Sequence, residues 1–139
     1  MISEFILLIL GAYILGATPS AYLITRWTRG IDIRQYGSGN VGASNVSAVV
    51  SKRWSIPVTV FDMAKGMVMV GVAKLLGLDT YQQITIGLAA IVGHNWSVFL
   101  HFSGGRGIFT SLGVILILSP QLGLIALVLA YLFAPFRQL

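Results

Sequence analysis

Two glycine-rich stretches, one acid–base pair and one histidine hold most of the polar chemistry in this chain. The first stretch, RQYGSGNVGASNV over residues 34–46, sets Gly37, Gly39 and Gly42 among Ser38, Asn40, Ser44 and Asn45, with Arg34 at its edge. Glycines at these spacings free the backbone for φ > 0, so that successive N–H groups point at one guest, and the guest such a nest suits is an anion. A second stretch, SGGRG over 103–107, repeats the pattern with Gly104, Gly105, Arg106 and Gly107. Between them lie Asp62 and Lys65, three residues apart and so on one helical face, and His94.

Several chemistries lack their residues. The chain has no cysteine and no GxSxG elbow, and no aspartate follows either histidine by four or five positions, so neither a hydrolase triad nor a local His/Asp acyltransferase pair is visible. The two histidines and three aspartates are scattered over separate elements, which argues against a metal centre or other cofactor. The letters GSGNVG fit a dinucleotide fingerprint, but what precedes them is an apolar helix and an arginine-rich linker, not the strand of a βαβ unit. Phosphate binding by free N–H groups near a helix start at 43–51 survives that test, beside the plainer reading of a tight turn. Lys65 meets a phosphate, neutralises Asp62, or snorkels to the surface. His94 reads equally as a structural hydrogen-bonding residue, and His101 as interfacial.

The elements that must position these groups are apolar. Hydrophobic residues make up 56% of the 139 positions and charged residues 9%, with mean hydropathy +0.87. That composition predicts an all-α, polytopic integral membrane protein in one domain spanning 1–139. The net charge of +5 belongs to loops facing anionic lipid and not to a nucleic-acid site. Residues 5–27 make a first span, with Gly11, Ala12, Gly16 and Ala17 at spacings suited to close helix contact. Arg26, Arg29, Arg34, Lys52 and Arg53 against Asp32 place the following loop in the cytoplasm. A second helix starts near Ser55 and Pro57 and runs to about residue 76, and a third covers 81–102. Residues 108–136 are broken at Ser119 and Pro120, and a hairpin that returns Arg137 to the cytoplasm is preferred over one kinked span. The expectation is about five transmembrane helices with glycine-rich cytoplasmic loops. Trp27, Trp54 and Trp96 fit an interfacial belt.

Taken together, GSGNVGASNV (37–46), FDMAKG (61–66) and GHNWSVFLHFSGGRG (93–107) resemble, in order and spacing, the bacterial acyl-phosphate:glycerol-3-phosphate acyltransferases (PlsY). The resemblance covers essentially the whole chain. It implies a multi-pass enzyme of the bacterial inner membrane, with its site facing the cytoplasm. Such an enzyme moves an acyl chain from acyl-phosphate to the 1-hydroxyl of sn-glycerol 3-phosphate, without metal or other cofactor, giving lysophosphatidic acid and phosphate for phospholipid biosynthesis. Position by position, it implies catalytic roles for Ser38, Lys65, His94 and Arg106. Substrate-binding roles would fall to Gly37, Gly39, Asn40, Ser44, Asn45, Asp62, Gly104, Gly105 and Gly107. Ser44 stands where threonine is usual, Ala48 where the family commonly has arginine, and Ser103 and Arg106 where it commonly has lysine. The resemblance also implies two further helices after Leu139. The alternatives are a silent relative that binds substrate or lipid, and a small transporter of a phosphorylated solute.

Overall fold

The computed structural model of the protein describes residues 2–133, all of whose regular elements are helical. The stretch expected as one span is two helices, α1 (Ile2–Ala17) and α2 (Ser20–Arg29). Pro19 explains the difference: it has no N–H to donate, and its ring disfavours the helical conformation at Thr18. A break at membrane depth leaves carbonyls that lipid cannot satisfy. Here they are taken by side chains from elsewhere in the fold, since Ser97 Oγ, just past α5, donates to the Ala17 carbonyl at 2.5 Å and Lys65 Nζ to that of Thr18 at 3.1 Å.

After a 3₁₀ turn at Ile33–Gln35, the short helix α3 (Ala43–Val49) leads into α4 (Lys52–Leu75). The start of α4 lies three residues before the expected Ser55, because Ser51 is the cap and its hydroxyl accepts from the Trp54 N–H. Pro57 is therefore in the second turn of the helix, where it has no N–H to give the Arg53 carbonyl. A capping box between Asp79 and Gln82 opens α5 (Thr80–Asn95), which ends before the expected residue 102 and continues as a 3₁₀ turn, Val98–Leu100. Then come α6 (Ile108–Leu118) and α7 (Pro120–Phe133), separated at Ser119. One groove is lined by Ile108 and Phe109 from the start of α6 and by Ala130 and Tyr131 from the end of α7, so the pair is a hairpin. Residues 134–136 and Arg137, on which the rest of that expectation rested, lie outside the described residues. By helical rise the two arms are about 16 and 21 Å long, short of an apolar core of about 30 Å.

Among the described residues three segments are long and apolar enough to cross a membrane: Ile2–Arg29, Lys52–Leu75 and Thr80–Leu100. Their packing follows the small residues. Across the α1–α5 contact, a Cβ built on Gly16 would meet the Ala90 carbonyl oxygen at 2.0 Å, and one on Gly93 the Tyr13 carbonyl oxygen at 2.1 Å. The two backbones touch where side chains are absent. On the other flank of α4, Gly66 packs against the Thr110 carbonyl and Gly113 against that of Met63. This arrangement gathers the ends of α1 and α5, the first half of α4 and the start of α6 at one end of the bundle, over a buried cluster of Ala21, Ile33, Val41, Val46, Val58 and Leu100.

Two stability measurements check this packing. Gly93→Ala should cost about 1–3 kcal/mol, because a backbone contact must open. Gly11→Ala, whose new Cβ would meet only the flexible Met69 tip at 3.8 Å, should stay within about 0.5 kcal/mol; thermal unfolding in detergent micelles reads both. Lys65→Met strands a buried carboxylate and should cost about 3–5 kcal/mol, whereas Asp62→Asn with Lys65→Met should cost less than Lys65→Met alone. Losses of the two single variants that simply add in the double variant would show that no charge coupling exists.

Candidate active site

At that end of the bundle the Asp62 carboxylate is the meeting point. Its Oδ1 accepts from Ser20 Oγ at 2.7 Å and lies 3.0 Å from Lys65 Nζ and 3.6 Å from His94 Nδ1. Asp62 and Lys65 are each 2% exposed. The three neighbours arrive from different places. Lys65 is one turn along α4, Ser20 opens α2 just past the Pro19 break, and His94 sits in the last turn of α5. A buried charge is tolerated only when it is paired and hydrogen-bonded, and these contacts supply both. The carboxylate faces the Nδ1 edge of the imidazole, while Nε2 lies against Gly105.

Beside this cluster opens a cavity of about 280 Å³. Asn40, Gly42, Ala43, Ser44 and Ser47 wall one side, and Arg106, Gly107, Ile108 and Phe109 another, with Ser55, Thr59, Asp62 and His94 between. The two glycine-rich stretches thus face each other across one space. Of the residues singled out in the sequence, Asn40, Ser44, Asp62, His94, Arg106 and Gly107 line it.

The others stand behind. Lys65 does not reach the cavity; its ammonium is engaged by Asp62 and the Thr18 carbonyl, so the expectation that it meets a phosphate does not describe this geometry. Asn45 is a hub of the first loop. Its Nδ2 donates to the carbonyls of Ile33, Tyr36 and Asn40, and its Oδ1 accepts from the Ser38 N–H at 3.1 Å. Gly37 takes φ +56°, and a Cβ there would strike Asn45 Oδ1 at 2.2 Å, so the hub requires glycine. Gly39 is likewise at positive φ, whereas Gly42 is extended at −157°, contrary to the expectation for it. Ser38 is exposed, and its Oγ accepts from the Asn40 N–H at 3.4 Å. Gly104 and Gly105 lie flat on the end of α5, too near the His94 carbonyl and ring to admit a Cβ. Ala48 is exposed on α3 and does not line the cavity.

A clamp outside the spans fixes the base of the first loop. Arg34 grips Asp32 through Nε and Nη2, and its Nη1 donates to the Leu100 carbonyl at 3.3 Å, tying the loop to the turn after α5. The hydrogen bonds from Arg34 hold the Asp32 carboxyl below its ordinary value, against the opposing effect of burial. The stabilisation this gives is present above the ordinary carboxylate range and is lost as pH falls through the depressed value.

Sequence reading missed two features. Ser55 and Thr59 precede Asp62 by seven and three positions, a polar stripe on one face of α4 that marks the cavity wall. The Asp62–His94 pairing escaped because a partner was sought along the chain, while the residues meet across helices α4 and α5.

Comparison with known proteins fits this arrangement. The family model for glycerol-3-phosphate acyltransferase matches residues 6–138. Glycerol-3-phosphate acyltransferase 5 of Dehalococcoides mccartyi is 54% identical over 135 residues, covering 97% of this chain and 58% of the relative. The glycerol-3-phosphate acyltransferase of Thermoanaerobacter pseudethanolicus is 50% identical over 116 residues, covering 84% and 58%. The crystal structure of PlsY, an integral membrane glycerol 3-phosphate acyltransferase, in its glycerol 3-phosphate form superposes with a TM-score of 0.86 at 36% identity, over 94% of this chain and 66% of that one. Its lysophosphatidic acid form gives 0.79, over 88% and 60%. The chain spans a little under six tenths of the length of these two relatives, and over that span it belongs to the glycerol-3-phosphate acyltransferase family.

Proposed function

We propose that the cavity holds glycerol 3-phosphate beside an acyl-phosphate, and that the chain serves transfer of the acyl group to the 1-hydroxyl of the glycerol. The carrying observation is the single space shared by the two glycine-rich stretches, with Arg106 on one wall and His94 beside it. A mixed anhydride is already activated, so the protein has chiefly to align two substrates and screen their phosphates. Arg106 and the backbone at Gly107 suit one phosphate; Asn40, Ser44 and Ser47 suit the other. His94, oriented by Asp62, takes the proton as the 1-hydroxyl oxygen attacks the acyl carbonyl carbon. The bond from that carbon to the phosphate oxygen then breaks, and the proton leaves with inorganic phosphate. Lys65 acts through Asp62, and Ser38, Asn45, Gly37 and Gly39 act by shaping the cradle. In this reading residues 1–139 form one membrane domain, part of a fold with about five spans here. The site faces the cytoplasm from the bacterial inner membrane, as the basic loop of Arg26 to Arg53 favours.

The test is turnover and binding by the chain in bilayer nanodiscs. Glycerol 3-phosphate together with acyl-phosphate should yield lysophosphatidic acid and phosphate in equal amounts, and glycerol 3-phosphate alone should bind by calorimetry. His94→Ala should lower kcat by about 10²–10⁴-fold with little change in binding. Arg106→Gln should weaken phosphate binding by roughly 10–100-fold, the worth of one charge-assisted contact. Binding without product would leave the reading of a silent relative. Flux of glycerol 3-phosphate across a sealed vesicle would favour a transporter.

A further inference from the structure

The end of α2 and the start of α4, the helix that runs on into the cavity wall, carry a cationic patch that the proposed reaction does not use. Arg26 and Arg29 stand on the last turns of α2, and Lys52 and Arg53 on the first turn of α4; all four are exposed. The two helix ends touch here. The rings of Trp27 and Trp54 meet edge to face at 5.6 Å, and Arg29 Nη2 donates to the Val50 carbonyl at 3.4 Å. The acid that offsets part of this charge is Asp32, whose carboxyl is held below its ordinary value chiefly by the hydrogen bond from Arg34 and to a lesser degree by Arg26. Between Glu4 and Asp62 the sequence holds one acid, Asp32, and Arg34 already grips it. Arg26 spends its contact on the Gly30 carbonyl, and none of the four cations makes an ion pair among the described residues.

The placement at α4 sharpens this. Its first turn has no acid and two cations, at the positive end of the helix dipole, where basic residues are unfavourable and an anion is stabilised. The isolated fold therefore carries repulsion that an external anion would relieve. Trp27, 76% exposed beside these charges, is the kind of side chain that settles at the level of lipid head groups.

We propose that this surface is a docking site for an anionic phospholipid: its phosphodiester lies among Arg26, Arg29, Lys52 and Arg53, and its upper acyl chain lies against Trp27 and Trp54. The lipid is a resident neighbour of the cavity and not its substrate. Because Ser55 and Thr59, within two turns of Arg53, line the cavity, an occupied patch also holds the start of α4 and the cavity wall in place.

Tryptophan quenching by brominated lipid tests this without reference to acyl transfer. The intact chain carrying Trp96→Phe, so that Trp27 and Trp54 alone report, is placed in nanodiscs containing equal mole fractions of brominated phosphatidylglycerol or brominated phosphatidylcholine. Brominated phosphatidylglycerol should occupy the site at least about fivefold in preference, what a single Lys or Arg near an anionic surface supplies, and salt should reduce the preference. Arg26→Gln with Arg29→Gln, and separately Lys52→Gln with Arg53→Gln, should each shrink it while circular dichroism stays unchanged. Equal quenching by the two lipids in the Trp96→Phe chain, before any charge is removed, would overturn the proposal. So would a preference that survives both pairs of substitutions, or one abolished by inorganic phosphate in the buffer, which would assign the patch to a soluble anion.

Discussion

A carboxylate held away from water in an apolar bundle is the constraint from which the rest of this structure follows. Asp62 is costly to bury unless its charge is met at once from several directions, and the fold meets it from three helices. Lys65 supplies the countercharge from its own helix, Ser20 a hydroxyl, and His94 an imidazole edge. Each of these commitments positions something else. Ser20 is available because Pro19 breaks the first span. That break exposes the Thr18 carbonyl, which Lys65 then satisfies. A break that would be a defect in lipid becomes a joint between α1, α2 and α4, locked by a residue whose charge would otherwise be a defect as well.

How much of this could be read from residues alone varied with the kind of information needed. The apolar spans, the pairing of Asp62 with Lys65 on one face, and the small-residue contact of the first span depend on local composition and helical spacing. The structure has each of them. That the stretch of Asn40 and Ser44 and the stretch of Arg106 lie at one end of the bundle could be expected too, because they follow the first and third spans. The break at Thr18–Pro19 was present in the letters but hidden by hydropathy, which scores both sides of a proline alike. Directions across helices were not legible. Lys65 could have turned toward a phosphate, and only the position of the freed Thr18 carbonyl decides that it does not. His94 and Asp62 are 32 positions apart, and their meeting depends on the α4–α5 packing, which no spacing rule encodes. Asn45 has a side chain suited to substrate, yet every polar atom of it is engaged within the loop.

The cavity walls differ in how they are held. The first loop is braced internally by Asn45 and anchored to the turn after α5 by Arg34 through the Leu100 carbonyl. The second loop has little bracing of its own and rests on the end of α5, where Gly104 and Gly105 allow backbone-to-backbone contact. Both therefore take their position from α5, the helix that also carries His94. A displacement of α5 would move the imidazole and both glycine-rich loops together, preserving their relation to one another while separating them from Asp62.

The most direct measurement is an experimental structure of the chain crystallised from a lipid mesophase with glycerol 3-phosphate. The account predicts the ligand in the space between Asn40, Ser44 and Arg106, its 1-hydroxyl toward His94, with Ser20, Lys65 and His94 still gathered on Asp62. A ligand bound elsewhere, or a Lys65 that has left Asp62 to contact the phosphate, would contradict it.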